Sequence, residues 1–213
     1  MPPPLERGRR LRRWAEAQRT PLGPLALTIG RFDQAALVAL RTHGHSGVVE
    51  RIARSLGTFG EFGVGWAALG VVGAGLDSGR RPRFLAAAAA APAAIAINFA
   101  IKSAIGRERP VIAGHPPLGP APNKLSFPSA HATSATAGAV ALGRVAPGSR
   151  PILRGLAALV CIGRPYLGMH YPSDVLAGVG IGFAIGRLWP LPPASKPRPA
   201  SPPAAPTEPE EER

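Results

Sequence analysis

Between Phe84 and Trp189 the sequence carries only two acidic residues, Glu108 and Asp174. A domain wrapped in water needs charges of both signs over its surface, so a stretch this poor in carboxylates is hard to close into a soluble globule. Hydrophobic residues make up 46% of the chain and charged residues 17%. The apolar residues are gathered into runs instead of being spread between charges. A buried-core soluble helical protein is the bland alternative; the length of the runs favours a bundle of membrane helices.

Crossing a bilayer takes about 20 apolar residues at roughly 1.5 Å of rise each. Gly57–Leu76 and Phe84–Ile105 meet that length. Ala130–Val145, Ile152–Leu167 and Val175–Trp189 are shorter, and they are rich in alanine and glycine. Small residues, including Gly178, Gly180, Gly182 and Gly186, let helix backbones approach closely inside a membrane. The sequence therefore predicts an all-α polytopic bundle of about five spans. Upstream, Leu25–Leu56 mixes apolar positions at helical spacing with Arg31, Asp33, Arg41, Glu50, Arg51 and Arg54, and Gly44 and Gly47 bracket a break. Two amphipathic helices are expected there, lying on the membrane surface or packed on the bundle. Arg31 and Asp33 count against a span at Leu25–Leu40.

The domain expectation is one membrane unit over 25–189, with a basic disordered N-terminus over 1–24 and a Pro-rich disordered tail over 190–213 that ends in acids. The net charge is +13, much of it in Arg7, Arg9, Arg10, Arg12, Arg13 and Arg19 and in Arg80, Arg81 and Arg83. Such clusters suit nucleic acid in a soluble protein, but here they flank apolar runs. They read as cytoplasmic flanks and anionic-lipid contacts, with no nucleic-acid partner. Arg80–Arg83 and Arg144, Arg150 and Arg154 fall in loops on one side, which puts the loop over 106–127 and the segment over 163–173 on the extracytoplasmic face. The single cysteine, Cys161, allows no internal disulfide and no cysteine metal cluster. No cleaved signal segment is expected.

Three short segments hold nearly all the polar residues of the apolar region: Lys102–Pro110, Ser126–His131 and Arg164–Asp174. Each lies at a predicted span end on the same side. Their residue types suit phosphoryl transfer, in which charge spread over phosphate oxygens is met by preorganised cations and N–H donors. Lys102, Arg109 and Arg164 supply the cations. Pro128 and Pro172 are placed to open helices, whose N-termini attract anions, so Ser129 is expected in the first turn of the third span. One histidine must attack phosphorus and the other must protonate the leaving oxygen. Asp174 follows His170 by four residues, one helical turn if the helix extends that far. A carboxylate on one ring nitrogen frees the other to attack, so His170 is the nucleophile candidate and His131 the general acid.

These segments resemble the signature of the type 2 phosphatidic acid phosphatase (PAP2) superfamily, which also contains the vanadium haloperoxidases. Lys102 through Arg109-Pro110 matches its first motif, Pro128, Ser129 and His131 its second, and Arg164, His170 and Asp174 its third. Ala130 stands where the family has glycine, keeping the backbone N–H, and Gly163 stands where it has serine. The resemblance implies the PAP2/haloperoxidase helical fold and a phospho-histidine on His170 assisted by Asp174. It also implies protonation by His131 and a phosphate cradle of Lys102, Arg109, Ser129, Ala130 and Arg164, with no metal or cofactor. The segment Phe59–Trp66 and the run Leu125–Thr133 are similar to small actinobacterial members, the decaprenylphosphoryl-5-phosphoribose phosphatase branch, which acts in cell-wall arabinan precursor synthesis. A lipid phosphomonoester is the expected substrate. A polyprenyl diphosphate or phosphatidylglycerophosphate phosphatase, a non-catalytic scaffold or transporter and a vanadium peroxidase are the alternatives. Outside the motifs, Glu61 and Asn98 read as packing or hydrogen-bonding residues, Arg107 and Glu108 as a local pair, and Lys124 as a loop contact to substrate. His43, His45 and His115 are expected to lie in loops without a role.

Overall fold

The computed structural model describes residues 23–119 and 123–194. The expected N-terminal and C-terminal tails lie outside these residues, except for 23–24, where the first helix begins, and 190–194, which carry no regular structure. Among the described residues all regular secondary structure is helical; the only strand-like feature is an isolated antiparallel bridge between Glu108 and Leu125.

The helices are α1 (Gly23–Thr42), α2 (Gly47–Gly60), α3 (Val64–Leu76), α4 (Arg81–Ala88), α5 (Ala90–Ile105), α6 (Ala130–Val145), α7 (Arg150–Tyr166) and α8 (Pro172–Leu188). Their ends follow local chemistry. Ser46 caps α2 by accepting from the Val49 N–H, satisfying one of the open donors of the first turn. Gly106, at φ 68°, ends α5 in the left-handed region that a side chain would resist. Pro172 occupies the first turn of α8, where its missing N–H costs nothing.

Helix α6 is the hub. Eleven of its sixteen residues are buried, and it packs against α4, α5, α7 and α8. Against α8 the approach is close because glycine recurs every four residues: a Cβ on Gly178 would lie 2.7 Å from the Ser129 carbonyl, and one on Gly186 would lie 2.6 Å from that of Ala137. Gly180 faces open space and takes no part in this seam. On the other side Trp66 of α3 is fully buried against Gly138.

Two continuous stretches, Gly47–Leu76 (30 residues) and Ser78–Ile105 (28 residues), are long and apolar enough to cross a membrane. Large apolar side chains on them, among them Val71, Val72, Leu76, Ile97 and Phe99, point outward, which suits lipid and not water. Helices α6, α7 and α8, at 16 or 17 residues, rise about 24–26 Å.

The structure revises the upstream expectation in two respects. Helix α2 is not separate from the first span: it runs into α3 through a turn at Glu61–Gly63, where Phe62 takes φ 50°. Gly63 sits against the second stretch, and a Cβ there would come within 2.8 Å of the Ala91 carbonyl carbon. The second stretch is itself interrupted, between Ala88 and Ala90, just before Pro92. Helix α1 packs on α7 and α8 with Asp33 and Arg41 turned inward and Arg31 and Gln34 exposed. Asp33 is 0% exposed and Arg41 6%, whereas Phe32 is 60% exposed. The acid that argued against an embedded helix is therefore not on the outer face.

Candidate active site

The ends of α2, α5, α6 and α7, with the loops before α6 and α8, enclose a cavity of about 710 Å³. Six of the eight residues singled out from the sequence line it: Lys102, Arg109, Ala130, His131, Arg164 and His170. The loop that closes it is held by short backbone ties. Arg109 N–H donates to the Lys124 carbonyl (3.0 Å), Ser126 N–H to that of Arg107 (2.7 Å) and Leu118 N–H to that of Leu167 (2.9 Å). Arg41 of α1 adds a bond from Nη2 to the Pro116 carbonyl (2.7 Å).

The three cations are built in from different elements. Lys102, 3% exposed in the last turn of α5, donates to the Leu125 and Ser126 carbonyls at 3.2 and 3.3 Å. Arg109 donates from Nε to the Asn123 carbonyl (2.9 Å) and from Nη1 to that of Met169 (2.8 Å). Arg164 is 5% exposed, and its buried Nε has no hydrogen-bond partner among the described residues. A guanidinium so placed is costly unless an anion meets it. Gly57 makes room for it: a Cβ there would lie 2.7 Å from Arg164 Nη1.

His170 is 2% exposed and precedes α8 instead of lying on it. The anticipated shared helical face is therefore replaced by a different construction. Asp174, in the first turn of α8, reaches back: its Oδ2 accepts from the Tyr171 N–H (2.9 Å) and from Ser126 Oγ. His170 Nδ1 stands 3.6 Å from the same Oδ2, close enough for charge interaction but too far for a hydrogen bond, and 3.4 Å from Ser126 Oγ. Arg109 Nη1 lies 3.2 Å from His170 Nε2. A guanidinium can only donate, so Nε2 accepts and the imidazole proton belongs on Nδ1, facing Asp174 and Ser126. Burial pushes the His170 pKa down to about 4, against the opposing influence of Asp174 and with help from Arg109 and Lys102. The neutral ring is thus favoured at pH 7, with its Nε2 lone pair engaged by Arg109 at the cavity wall.

His131, in the first turn of α6, places Nε2 3.1 Å from the Gly57 carbonyl and 3.6 Å from Glu61 Oε2. Both neighbours are acceptors, so Nε2 carries a proton. Ser129 and Asp174 do not line the cavity. Ser129 is the cap of α6, one position before the helix and not in its first turn, and its Oγ accepts from the Ala132 N–H. It is fully buried and is not part of the lining, while its hydroxyl proton stays available to donate. Pro128 likewise precedes the cap and does not open the helix.

Three residues hold contacts at the site that the sequence reading did not assign to them. Arg107 pairs with two buried carboxylates: Nη1 lies 2.8 Å from Asp174 Oδ1 and Nη2 lies 2.7 Å from Asp33 Oδ2. Its guanidinium also lies 4.1 Å from the Tyr171 ring centroid. Asp33, from α1, accepts from the Ser173 N–H (2.8 Å) and from Ser173 Oγ. Ser126, already inside the second segment, turns out to contact Asp174. Asn98 and Glu61 both line the cavity, and Asn98 also donates to Thr133 Oγ1 (2.8 Å). Lys124 is exposed and is not part of the lining.

Residues 83–194 match the family described as the PAP2 superfamily. The chain is 39% identical over 175 residues to the decaprenylphosphoryl-5-phosphoribose phosphatase of Mycobacterium tuberculosis, covering 81% of this chain and 92% of that protein. It is 41% identical over 153 residues to the protein of the same name from Mycolicibacterium smegmatis, covering 70% and 82%. Its fold is similar to the crystal structure of a transmembrane PAP2-type phosphatidylglycerolphosphate phosphatase from Bacillus subtilis. The TM-score is 0.60 at 23% identity, over 82% of this chain and 88% of that one. The chain belongs to the PAP2 superfamily and is a membrane phosphatase.

Proposed function

We propose that the protein removes the 5-phosphate of decaprenylphosphoryl-5-phosphoribose, a lipid-linked phosphomonoester, through a phospho-histidine. The observation that carries the mechanism is two imidazoles on one cavity, His170 with Nε2 as an acceptor toward Arg109 and His131 with Nε2 facing the Gly57 carbonyl and Glu61, beside Lys102, Arg109 and Arg164. The substrate is supported by two relatives of that name, matched over most of their length. The cavity wall also combines polar residues, Arg54, Thr58 and Asn123, with apolar ones, Ile95, Phe62 and Phe99, as an amphiphile requires.

In the first step the His170 Nε2 lone pair attacks phosphorus in line. An N–P bond forms as the P–O bond to ribose breaks, and the departing oxygen takes a proton from His131, which enters the step as an imidazolium facing Glu61 and leaves it as the neutral imidazole. The three cations hold the charge on the phosphoryl oxygens. Asp174, held by Arg107 and Ser126, stabilises the imidazolium character that develops on His170. In the second step His131 takes a proton from water, the oxygen attacks phosphorus and the N–P bond breaks. Inorganic phosphate is released, and His170 returns to its neutral form and His131 to its protonated form.

The arginines of the loops over 77–83 and 144–154 lie at the end of the bundle away from the cavity. By the positive-inside rule that end is cytoplasmic, the cavity opens extracytoplasmically, and α6, α7 and α8 complete the crossing begun by the two longer stretches. The test is phosphate release by the purified protein in detergent from decaprenylphosphoryl-5-phosphoribose, a polyprenyl diphosphate and phosphatidylglycerophosphate. The first should be preferred at least tenfold in kcat/KM, EDTA should not inhibit, and His170→Ala should release nothing. Equal turnover of all three substrates would refute the substrate; activity in His170→Ala would refute the nucleophile. Labelling of a cysteine placed at the exposed Pro116 tests sidedness.

A further inference from the structure

At the end of the bundle opposite the catalytic cavity, five arginines surround one recess of about 440 Å³: Arg83 of α4, Arg144 of α6, Arg150 and Arg154 of α7, and Arg187 of α8. None of the six acids among the described residues lines it or forms a salt bridge with any of these five arginines. What partners they have are neutral carbonyls. Arg144 donates to those of Gly186 (2.9 Å) and Trp189 (2.7 Å), and Arg150 donates to that of Gly143 (2.8 Å). Arg83 Nε is buried with no partner among the described residues. Five like charges gathered without a counter-ion repel one another, and a fold keeps them together at low cost only when an anion sits among them.

The recess does not stand alone. A second cavity of about 660 Å³ adjoins it, and the two share Ala139, Val140, Arg154 and Phe183. From that shared wall the second cavity runs along α7 and α8, past Leu176 and Cys161, to Phe32 of α1, and its lining is almost wholly apolar. A basic pocket opening directly into an apolar groove has the shape and polarity of one amphiphile. We propose that it binds an anionic phospholipid, with the headgroup phosphate among the arginines and an acyl chain in the groove. Basic pockets between helix ends at a membrane face recognise lipid phosphates in this way. The position is independent of the substrate at the catalytic cavity. From its cap at Ser129, helix α6 puts about 22 Å between the two sites, so the lipid belongs to the leaflet opposite the one in which the phosphoester is cleaved. Neither a free phosphate nor an acidic peptide would use the groove, which is why a lipid is the favoured occupant.

The experiment is native mass spectrometry of the full-length protein in detergent, with phosphatidylglycerol, cardiolipin or phosphatidylcholine added. The two anionic lipids should be retained and phosphatidylcholine lost. Arg154 and Arg187 are exposed, so Arg154→Gln with Arg187→Gln should leave the fold and turnover intact. Loss of two basic contacts should weaken retention roughly thirtyfold. Leu176→Trp, an exposed position on the groove, should weaken retention of a diacyl lipid without affecting turnover. Equal retention of phosphatidylcholine would overturn the proposal, as would undiminished retention in both variants. Displacement of the lipid by an equal concentration of inorganic phosphate would show that the chain makes no contribution. Anionic lipid retained only when Glu208, Glu210, Glu211 and Glu212 are changed to Gln in the full chain would assign the arginines to the protein's own acidic end instead.

Discussion

Asp33→Asn tests whether a carboxylate remote from the three motifs supports the chemistry. Both oxygens of Asp33 are engaged: Oδ1 takes the Ser173 N–H, and Oδ2 takes Arg107 Nη2 together with Ser173 Oγ. Asparagine preserves the shape and one acceptor but removes the charge, and its amide would present a donor to a donor. Breaking one side of a fully buried ion pair costs about 3–5 kcal/mol. Arg107 is 30% exposed and keeps Asp174 as a partner, so the loss should be smaller, about 2–3 kcal/mol of stability. The catalytic effect follows from what Arg107 holds. Asp174 faces His170 at 3.6 Å, and an arginine released on one side no longer fixes that carboxylate. A displacement of this kind should lower kcat about tenfold. KM should stay within about twofold, because Asp33 does not line the cavity. The assay is steady-state phosphate release in detergent beside denaturant unfolding, for Asp33→Asn, Arg107→Gln and the double variant. If the three residues act as a unit, the double variant should cost clearly less than the sum of the singles. Additive losses, or an Asp33→Asn enzyme with unchanged kcat and stability, would refute the linkage.

Three further outcomes are expected. His170 is neutral in the fold, with its pKa pushed down to about 4 from 6.5. The unfolded chain therefore takes up the proton first on acidification, so this contribution is complete above about pH 6.5 and is lost as pH falls toward 4. The loss has an upper bound of about 3 kcal/mol, and unfolding measured across that window should be flatter for His170→Asn than for the native chain. Gly57→Ala places a methyl group 2.7 Å from the head of Arg164; the flexible guanidinium can move, so stability should change by less than about 1 kcal/mol while kcat/KM falls about tenfold. His131→Ala should depress hydrolysis of a lipid alkyl phosphate at least 100-fold. Hydrolysis of an aryl phosphate, whose leaving oxygen needs no proton, should fall much less, and equal losses on the two substrates would remove His131 from the role of acid.

Much of the site can be read from residue types because phosphoryl transfer demands them and a membrane tolerates them nowhere else. Lys102, Arg109, His131, Arg164 and His170 stand out against apolar surroundings, and folding brings all five to one cavity. The helices were legible for the same reason, and the start and end of α6 agree with the apolar run that predicted it. Other features leave no local trace. Asp33 and Arg107 are 74 residues apart, and nothing near either one announces the other. The break at Glu61–Gly63 depends on Gly63 fitting against Ala91 and Pro92, a tertiary contact that hydropathy does not register. Ser129 was expected in the first turn of α6, and its place one position earlier, as the cap that accepts the Ala132 N–H, is a local detail that the motif does not carry.

The contact between Arg109 and the ring nitrogen of His170 also governs the resting enzyme. While the guanidinium occupies that lone pair, the imidazole is a poor target for stray electrophiles and cannot attack whatever drifts into the cleft. An arriving phosphoryl group competes for the same guanidinium, and in drawing it away uncovers the atom that will strike. On this geometry the contact that shields the nucleophile is made by the same guanidinium that a substrate anion would engage.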